Sequence, residues 1–384
     1  MLEGVRVALC VTGSIAAVKT VELAHELRRQ GATVRAVMTD SACGIVHPWS
    51  VEFATGMPVV TEITGSVEHV DLCGYDGWAD VVLIAPATAN TVGKIAAAID
   101  DTPVTTCVTT ALGAGIPVVV APAMHEPMYD HPGVLDAIER VESWGVSFVE
   151  PRIEEGKAKI AAEESIVLSV ARNAGPTPLA GRHILITSGA TAERIDPVRT
   201  LTNRASGRTG RAVARACYVR GADVTLVHNG AEVPYAAVEH VESATEMIDA
   251  VEAYAPDVDA LVSAAAISDY TVETRAEKIR SGQSLTLDLE PTPKLIDTIR
   301  DAHPTLPIVG FKLETNGDDA ALVDAASDRL DRADLSFVVA NDASVMGEEE
   351  SRVLIVREND YQEFSGSKSE LGLTIADELT AELD

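Results

Sequence analysis

The chain has 384 residues, of which 46% are hydrophobic and 23% are charged, and its formal net charge is -29 at pH 7. This length favours about two domains. The net charge argues against nucleic acid or an anionic membrane as a partner, because both carry negative phosphates. The acidic residues are spread along the whole chain, and we interpret them as a solvated surface adapted to high salt.

The cysteines and the apolar runs indicate the compartment. The chain has five cysteines without paired spacing, Cys10, Cys43, Cys73, Cys107 and Cys217. They form neither a disulfide framework nor a CxxC zinc pattern, which is typical of a reducing compartment. No apolar stretch approaches the ~20 residues that cross a bilayer, and no leader pattern follows Met1. The sequence therefore predicts a cytoplasmic protein.

The first half alternates Val- and Ile-rich runs with helical patterns. The predicted strands are VRVALCV (5–11), TVRAVMT (33–39), VVLIAPAT (81–88), VTTCVTT (104–110) and IPVVVAPAM (116–124). Between the first two, a predicted helix places Val18, Val21, Ala24 and Leu27 on one face and ends at Gly31. This βαβ alternation predicts a parallel, doubly wound sheet.

A Gly- and Pro-rich segment then interrupts the pattern. It predicts a linker at 173–181 between domains 1–172 and 182–384. Beyond it a helix is predicted at GRAVARACYVRGA (210–222), and the alternation restarts. The predicted strands are HILITSGAT (183–191), DVTLVHNG (223–230), ALVSAAAI (260–267), SLTLDLE (284–290), PIVGFKL (307–313), SFVVAND (336–342) and RVLIVRE (352–358). The predicted fold class is α/β, with two tandem doubly wound domains, the second also Rossmann-like.

Small polar residues follow three strands of the first domain. They are Gly13, Ser14, Thr39, Ser41, Thr88 and Asn90. Ligands of doubly wound sheets bind at the carboxyl ends of the strands, and helix N-termini there suit phosphate. The loops together favour a phosphate-bearing cofactor, although plain turns and helix capping fit the same residues. Neither half carries a GxGxxG, which disfavours a nicotinamide oxidoreductase.

Two histidines of the first domain have open roles. His69 precedes a buried strand, and a lone histidine is more often structural than catalytic. His125 lies in APAMHEPMYDH, where Pro127 disrupts the helical turn that an HExxH zinc site requires. Metal ligation by His125 is therefore disfavoured, and no metal-ligand set is predicted.

The second half has a long loop rich in Gly, Arg and Asn after its first strand. The polar and glycine residues there are Gly189, Thr191, Arg194, Asp196, Arg199, Asn203, Ser206, Gly207 and Gly210. Glycine at a helix N-terminus suits phosphate, and guanidinium groups bind carboxylate or phosphate. Later, Asp269 follows a strand, and Lys278 and Arg280 follow it. This pattern indicates a triphosphate, with Asp269 contacting nucleotide or magnesium, although a solvated charged face fits AEKIR equally well.

These motifs together resemble a known family. They are TGSIAAVKT, HVDLCGYDGWADVVLIAPATAN, APAMHEPMY, DPVRTLTNRASG, AAAISDY, EKIR and VGFKLET. In this order they resemble the bifunctional family of coenzyme A biosynthesis, which joins a phosphopantothenoylcysteine decarboxylase to a phosphopantothenate–cysteine ligase. The resemblance spans essentially the whole chain. It implies an N-terminal flavodoxin-like flavoprotein and a C-terminal Rossmann-like ligase.

For the first domain, the resemblance implies that the GSIAA and PATAN loops bind FMN and that His69 is catalytic. FMN would oxidise the thiol-bearing carbon of the substrate, and the thioaldehyde so formed would be the electron sink for loss of carbon dioxide. Met124 and His125 would bind the substrate, with His125 in place of the family's Asn. The family's proton-donating Cys has no counterpart in EPRIEEGKAKIAAEES (150–165), where only Lys157 and Lys159 stand, and Cys73 lies elsewhere.

For the second domain, the resemblance implies catalysis by Asn203 and Lys278. The implied nucleotide-binding residues are Gly189, Asp269, Lys278, Thr292, Pro293, Lys294, Leu295, Phe311, Arg329 and Arg332. The family's KxKK loop is reduced here to KIRS. Mg²⁺ or Mn²⁺ would be required, and CTP is the usual co-substrate, with ATP left open. The family also implies homo-oligomers, with trimers through the flavoprotein and dimers through the ligase.

The predicted function is thus bifunctional. Cysteine is ligated to 4′-phosphopantothenate through an acyl-nucleotide, and the product is decarboxylated to 4′-phosphopantetheine. The partners are small molecules: 4′-phosphopantothenate, cysteine and a nucleoside triphosphate. One alternative is a ligase whose N-terminal flavin-binding module lacks full decarboxylase activity, and another treats that module as regulatory.

Overall fold

The computed structural model describes residues 1–154, 157–282, 284–314, 319–342 and 350–384. It divides the chain into two compact units, Met1–Pro176 and Thr177–Asp384. The division falls within the segment 173–181 that the sequence predicts as a linker. Within the described residues, no helix is both long and apolar enough to span a bilayer.

Unit 1 contains eight described strands and nine described α-helices, with a 3₁₀ turn at Ile15–Lys19. The strands are β1 (Arg6–Val11), β2 (Thr33–Met38), β3 (Val81–Ala87), β4 (Val118–Pro122), β5 (Met124–His125), β6 (Ser147–Phe148), β7 (Arg152–Glu154) and β8 (Lys157–Lys159). The helices are α1 (Thr20–Arg29), α2 (Asp40–Cys43), α3 (Pro48–Thr55), α4 (Glu68–Cys73), α5 (Ala89–Ala96), α6 (Pro103–Ala114), α7 (Glu126–Tyr129), α8 (Pro132–Glu142) and α9 (Glu163–Ala174).

The main sheet of unit 1 is parallel, with strand order β2-β1-β3-β4-β6. This is the flavodoxin-like order, whose switch point lies between β1 and β3, so the predicted fold of this domain is confirmed. The strands are continuous apolar runs because helices cover both faces. Helices α4, α5, α6 and α8 pack a buried core against one face.

One predicted strand of unit 1 is wrong. Residues 104–110 belong to α6, which begins with a capping box between Thr102 and Thr105 and has Pro103 in its first turn. Val104, Val108 and the residues one helical turn from them are buried, so a helical period underlies the apolar run. The predicted face of α1 is also partly wrong, because Val18 precedes the helix in the 3₁₀ turn and is exposed.

Unit 2 contains the remaining elements, with a 3₁₀ turn at Ala255–Asp257. The described strands are β9 (His183–Thr187), β10 (Ala192–Arg194), β11 (Thr200–Thr202), β12 (Asp223–His228), β13 (Ala237–His240), β14 (Ala260–Ser263), β15 (Tyr270–Val272), β16 (Leu289–Pro291), β17 (Ile308–Glu314), β18 (Phe337–Asp342), β19 (Glu350–Val356) and β20 (Tyr361–Ser367). The described helices are α10 (Arg208–Val219), α11 (Ala244–Tyr254), α12 (Leu295–Ala302), α13 (Asp319–Ala333) and α14 (Lys368–Leu383).

The main sheet of unit 2 has the order β13-β12-β9-β14-β17-β18-β19-β20. Its first six strands are parallel in the doubly wound Rossmann order, and β19 and β20 add an antiparallel edge. Helices α11, α12 and α13 cover one face, and α10 packs with α14. The predicted strand 284–290 is wrong over most of its length, because only β16 forms there, as a short hairpin with β15.

Candidate active sites

The loops at the carboxyl ends of the unit 1 strands converge. A Cβ on Gly13 would lie 2.8 Å from Ser41 Oγ and closer still to Ser41 Cβ, so the loops after β1 and β2 touch where only glycine fits. Ser14 Oγ donates to the carbonyl of Ala123 at 3.2 Å, joining the loops after β1 and β4. The N–H of Ala123 in turn donates to Ala87 O at 2.9 Å. The candidates predicted after different strands therefore line one crevice.

Three of the candidate hydroxyls cap helices at this crevice. Ser14 precedes the 3₁₀ turn, Thr39 precedes α2, and Thr88 precedes α5, and each accepts an N–H from the first turn. Asn90 lies exposed in the first turn of α5. Capping and ligand binding are compatible here. Each cap satisfies one N–H group, and the other N–H groups of the first turn, with the positive end of the helix dipole, face the crevice. The narrow contact at Gly13 and these N–H groups fit a phosphate-bearing cofactor.

His69 enters the same edge of the sheet from α4. Val60 pairs in parallel with Val37, and Met38 N–H donates to the Val60 carbonyl at 2.8 Å, so this segment ends at the carboxyl edge. The chain turns there into α4, whose second residue is His69. His69 is half-buried, and its buried Nδ1 has no hydrogen-bond partner among the described residues. A buried ring nitrogen without a partner is a signal of a functional role.

The PAMH loop pairs with the segment in which the family's cysteine is expected. β5 pairs antiparallel with β8, with Met124 opposite Ala158 and His125 opposite Lys157. His125 is exposed and precedes α7 without capping it. Lys159 is half-buried in β8, and the side chain of Lys157 lies outside the described part of the structure. This small sheet therefore joins the predicted substrate residues to the segment that lacks the cysteine.

Cys73 does not reach the crevice. Its side chain is fully buried in the core of unit 1, together with Cys10 and Cys107. A hydrogen bond with Cys73 and burial both raise the pKa of Cys107, and burial raises the pKa of Cys10. Cys73 therefore has no surface to present to a substrate, which disfavours it as a replacement for the family's proton-donating cysteine.

In unit 2, β9, its following loop and α10 form a tight βα turn. Ser188 Oγ donates to Gly207 O at 2.8 Å, and a Cβ on Gly210 would lie 2.6 Å from Ser188 Oγ. Gly189 and Gly207 have φ of +83° and +70°, a conformation that favours glycine. The N-terminus of α10 is therefore held against the carboxyl end of β9, the phosphate position of a Rossmann sheet.

Ala266 connects the candidate residues of two loops. Asn203 Nδ2 donates to the Ala266 carbonyl at 3.0 Å, and the Ala266 N–H donates to Gly189 O at 2.8 Å. Two residues on, Ser268 N–H donates to the buried Thr191 Oγ1 at 2.8 Å. These bonds bring Asn203 and Gly189 beside the strand end that carries Asp269.

Asp269 is part of a charged cluster with residues from three elements. Its carboxylate forms an ion pair with Lys294, at the start of α12, and Thr292 bonds the carbonyl of Ser268. Arg329 is half-buried beside Gly310 of β17, and its Nε has no partner among the described residues. Burial and Arg332 lower the pKa of Arg329, and Asp297 and Asp269 oppose this; the guanidinium stays charged because the ordinary pKa of arginine is far above neutral. A half-buried cation with a free donor is suited to an anionic ligand.

The remaining residues predicted to bind the nucleotide differ in where they lie relative to this cluster. Leu295 is buried in the first turn of α12, directly after Pro293 and Lys294. Phe311 is half-buried in β17, next to Gly310. Arg332 instead pairs with Asp297 at 3.4 Å on the surface.

Asp196 anchors the segment that carries Lys278. Its carboxylate accepts the N–H groups of Val198 and Arg199, both at 2.8 Å, and that of Ile279 at 3.0 Å, and it pairs with the Arg199 guanidinium. Burial alone would raise the pKa of Asp196, but these hydrogen bonds together lower it to about 2. Lys278 itself is exposed. Residues 196–199 thus fix the main chain beside Lys278, whose side chain is exposed to solvent.

Sequence reasoning missed His228, which ends β12 and is 1% exposed. Its buried Nε2 has no partner among the described residues. The signal was available, because His228 is a polar residue at the carboxyl end of a predicted strand, the position used to select the other candidates.

Comparisons with known proteins match both units. A flavoprotein family model matches residues 1–175, and a model described as the DNA/pantothenate metabolism flavoprotein C-terminal domain matches residues 179–383. The chain is 50% identical over 362 residues to the coenzyme A biosynthesis bifunctional protein CoaBC of Thermococcus kodakarensis, covering 92% of this chain and 89% of that protein.

Two further relatives are similar. The CoaBC protein of Methanocaldococcus jannaschii is 36% identical over 385 residues, covering 99% of this chain and 94% of that protein. A crystal structure of the FMN-dependent cysteine decarboxylase SpaF is 32% identical and covers 44% of this chain and 99% of that one, with a TM-score of 0.40. Both family models and the near full-length identity lead to one conclusion: the chain belongs to the family of coenzyme A biosynthesis bifunctional proteins.

Proposed function

We propose that the chain is a two-step enzyme of coenzyme A biosynthesis. Unit 2 ligates cysteine to 4′-phosphopantothenate, activated as an acyl-nucleotide by a nucleoside triphosphate with Mg²⁺. Unit 1 decarboxylates the product to 4′-phosphopantetheine with FMN. The observation that carries this proposal is the alignment with CoaBC proteins over nearly the full length of the chain, at 50% and 36% identity, which includes both crevices. The ligase-only alternative is not favoured, because the relatives that align with both units are named as bifunctional proteins.

The chemistry of the unit 1 crevice supports FMN as the cofactor. The contact between Gly13 and Ser41 leaves room for main-chain N–H groups, but not for a side chain, against a phosphate. When bound, FMN would supply the oxidation of the substrate's thiol-bearing carbon that makes loss of the neighbouring carboxylate feasible. His69, whose Nδ1 is free, is the residue that we assign to proton movement at the substrate.

His125 and Met124 are assigned to the substrate. The exposed imidazole can donate a hydrogen bond to the carboxylate that is lost, and in its protonated form it adds a positive charge. The β5–β8 pairing supports this role, since it fixes the main chain of His125 from the side of Lys157.

In unit 2, the acyl-nucleotide site is assigned to Asn203, Lys278 and the charged cluster of Asp269, Lys294 and Arg329. Asn203 Nδ2 donates one hydrogen to Ala266 O, and its second hydrogen is available to donate to a carbonyl group of the intermediate. Arg329 and Lys278 are the cations that would offset charge developing on transferred phosphates. We propose CTP as the co-substrate, and Asp269, which pairs with Lys294, as a carboxylate that would bind Mg²⁺.

A product assay tests this function. Purified protein in high salt receives 4′-phosphopantothenate, cysteine, Mg²⁺ and CTP, with ATP in a parallel reaction, and products are identified by mass spectrometry. We expect 4′-phosphopantetheine, and a flavin absorption spectrum in the protein itself. Accumulation of the cysteine conjugate alone would refute the decarboxylase assignment. Faster turnover with ATP than with CTP would refute the choice of nucleotide.

We also propose that the chain forms homo-oligomers. Trp49 and Phe53 lie one turn apart on α3 and are each at least 77% exposed, and a patch of neighbouring exposed apolar side chains marks a contact surface. Light scattering after size exclusion is expected to give a mass above one chain. Trp49→Lys with Phe53→Lys is expected to lower that mass, whereas Tyr361→Lys, in unit 2, is expected not to disturb the contacts of unit 1.

A further inference from the structure

His228 faces the first turn of α10. Side chains alternate along β12, and Val227 belongs to the core beneath α11, so His228 points to the opposite face, on the side of α10. Ser188 N–H donates to the Val227 carbonyl at 3.0 Å, which places this strand end beside the loop that leads to Gly207. The imidazole therefore lies on the α10 face of the sheet, where the charge of Arg211 in α10 acts on its pKa.

The N-terminus of α10 has no side-chain cap. Gly207 is its N-cap residue and offers no hydrogen-bonding side chain, so the helix begins with free N–H groups and the positive end of its dipole. Arg211, one turn into the helix, adds a guanidinium whose Nη2 donates to Ser206 O at 3.0 Å. This arrangement holds three kinds of donor for an anion, provided that His228 is protonated.

The charged groups around His228 keep it neutral in the free protein. Burial lowers its pKa most, followed by the positive charge of Arg211 and by His240, whose ring stacks on it with centroids 6.2 Å apart. The main chain of Ala231 and the carboxylate of Glu232 act weakly in the opposite direction. Nε2 is thus left buried, with no hydrogen-bond partner among the described residues.

We propose that His228, Arg211 and the first turn of α10 form a proton-linked binding site for the polyphosphate chain of the nucleotide. An incoming anion offsets the charge of Arg211, a proton from solvent binds Nε2, and Nε2 then donates to an anion oxygen. The inference rests on the proposed ligase function and adds a residue and a linkage to it. Because the proton binds together with the anion, the affinity for the anion rises as the pH falls. This gain is lost as the pH rises above the pKa that His228 has in the complex.

Calorimetry of the full chain with pyrophosphate, in EDTA and in two buffers of different ionisation enthalpy, tests the linkage. Because pyrophosphate itself binds protons near neutral pH, the quantity compared is the difference between proteins. We expect His228→Gln to take up fewer protons than wild type, and to bind about tenfold more weakly at pH 6 but equally at pH 8.5, since tenfold corresponds to one pKa unit of coupling. His303→Gln, at the far end of α12, is the control and should match wild type.

Equal proton uptake by wild type and His228→Gln would overturn the inference. If the variant does not fold, histidine ring resonances of the wild type decide, since one ring must gain a proton when pyrophosphate is added at pH 7. Proton uptake with 4′-phosphopantothenate but not with pyrophosphate would overturn the assignment to the nucleotide. Conjugate formation is measured in the same preparations. If wild-type protein takes up a proton with pyrophosphate but does not form the cysteine conjugate of 4′-phosphopantothenate, the proposed site is supported and the ligase function is refuted.

Discussion

The two crevices occupy equivalent positions in two doubly wound sheets but are built from different chemistry. In unit 1 the contacts that join the loops are neutral, as between Gly13 and Ser41 and between Ser14 and Ala123. In unit 2 neutral hydrogen bonds also join the loops, as between Asn203 and Ala266, but an ion pair between Asp269 and Lys294 is added to them. Neutral N–H donors suit a resident cofactor, whereas a ligase must offset the charge of a polyphosphate that enters and leaves at each turnover. The comparison predicts that the two activities fail separately.

The largest separation is expected for His69→Asn. If His69 moves a proton at the substrate, its loss should slow decarboxylation of supplied 4′-phosphopantothenoylcysteine by about 10²–10⁴-fold, with flavin content and conjugate formation unchanged. Rates are measured by mass spectrometry. His25→Gln, whose ring contacts Phe53 on the surface of the same unit, is the matched control. Decarboxylation within twofold of wild type would remove His69 from the mechanism.

Gly13→Ala tests the steric basis of the neutral crevice. Its Cβ would lie 2.8 Å from Ser41 Oγ, and overpacking of this kind costs about 1–3 kcal/mol. We expect flavin affinity to fall by about tenfold to a hundredfold while conjugate formation is retained. Gly44→Ala is the control, because its Cβ would meet only ordinary contacts, the nearest at 3.6 Å. Flavin retained at the wild-type ratio would show that this contact does not shape the site.

The sheets could be predicted because parallel strands buried on both faces are continuous apolar runs, and most such runs became strands. Helix α6 was missed because its buried residues, among them Val104 and Cys107, stand among threonines, whose β-propensity conceals the helical period. The polar strand ends at Gly13, Ser14 and Thr39 could be predicted as candidates because sheet topology alone brings them to one edge.

The contacts within the sites could not be predicted in the same way. Nothing in the spacing of Asp196 and Ile279 indicates that a carboxylate binds a main-chain N–H 83 residues later. The unpartnered nitrogens of His69, Arg329 and His228 are also invisible in sequence, because they depend on which neighbours fail to reach them. Long-range hydrogen bonding, not local pattern, determines this layer of the site.

Asp196→Asn tests whether the activity of the charged crevice in unit 2 depends on a fixed main chain beside Lys278. An amide has one oxygen, so it cannot accept on both sides as the carboxylate does, and the bond from either Ile279 or Val198 is lost. We expect conjugate formation to slow by about tenfold, since hydrogen bonds to charged groups contribute about 1.5–3 kcal/mol, and flavin content to stay constant. Hydrogen exchange at the Ile279 amide should speed up. Glu277→Gln, exposed in the same segment, is the control.

The smallest effect is a pH dependence confined to unit 2. The folded-state pKa of Asp196 is about 2, below the ordinary value of about 3.9, so its contribution to stability is fully present above pH 3.9. It is lost as the pH falls towards 2, because the proton then binds both states equally. The difference in unfolding free energy between wild type and Asp196→Asn should therefore be constant above pH 5 and shrink towards pH 2. If this difference in unfolding free energy stays constant down to pH 2, then the shape of the Asp196 side chain, and not its charge, holds the main chain at this position. The two crevices would then differ less in their electrostatics than their contacts indicate.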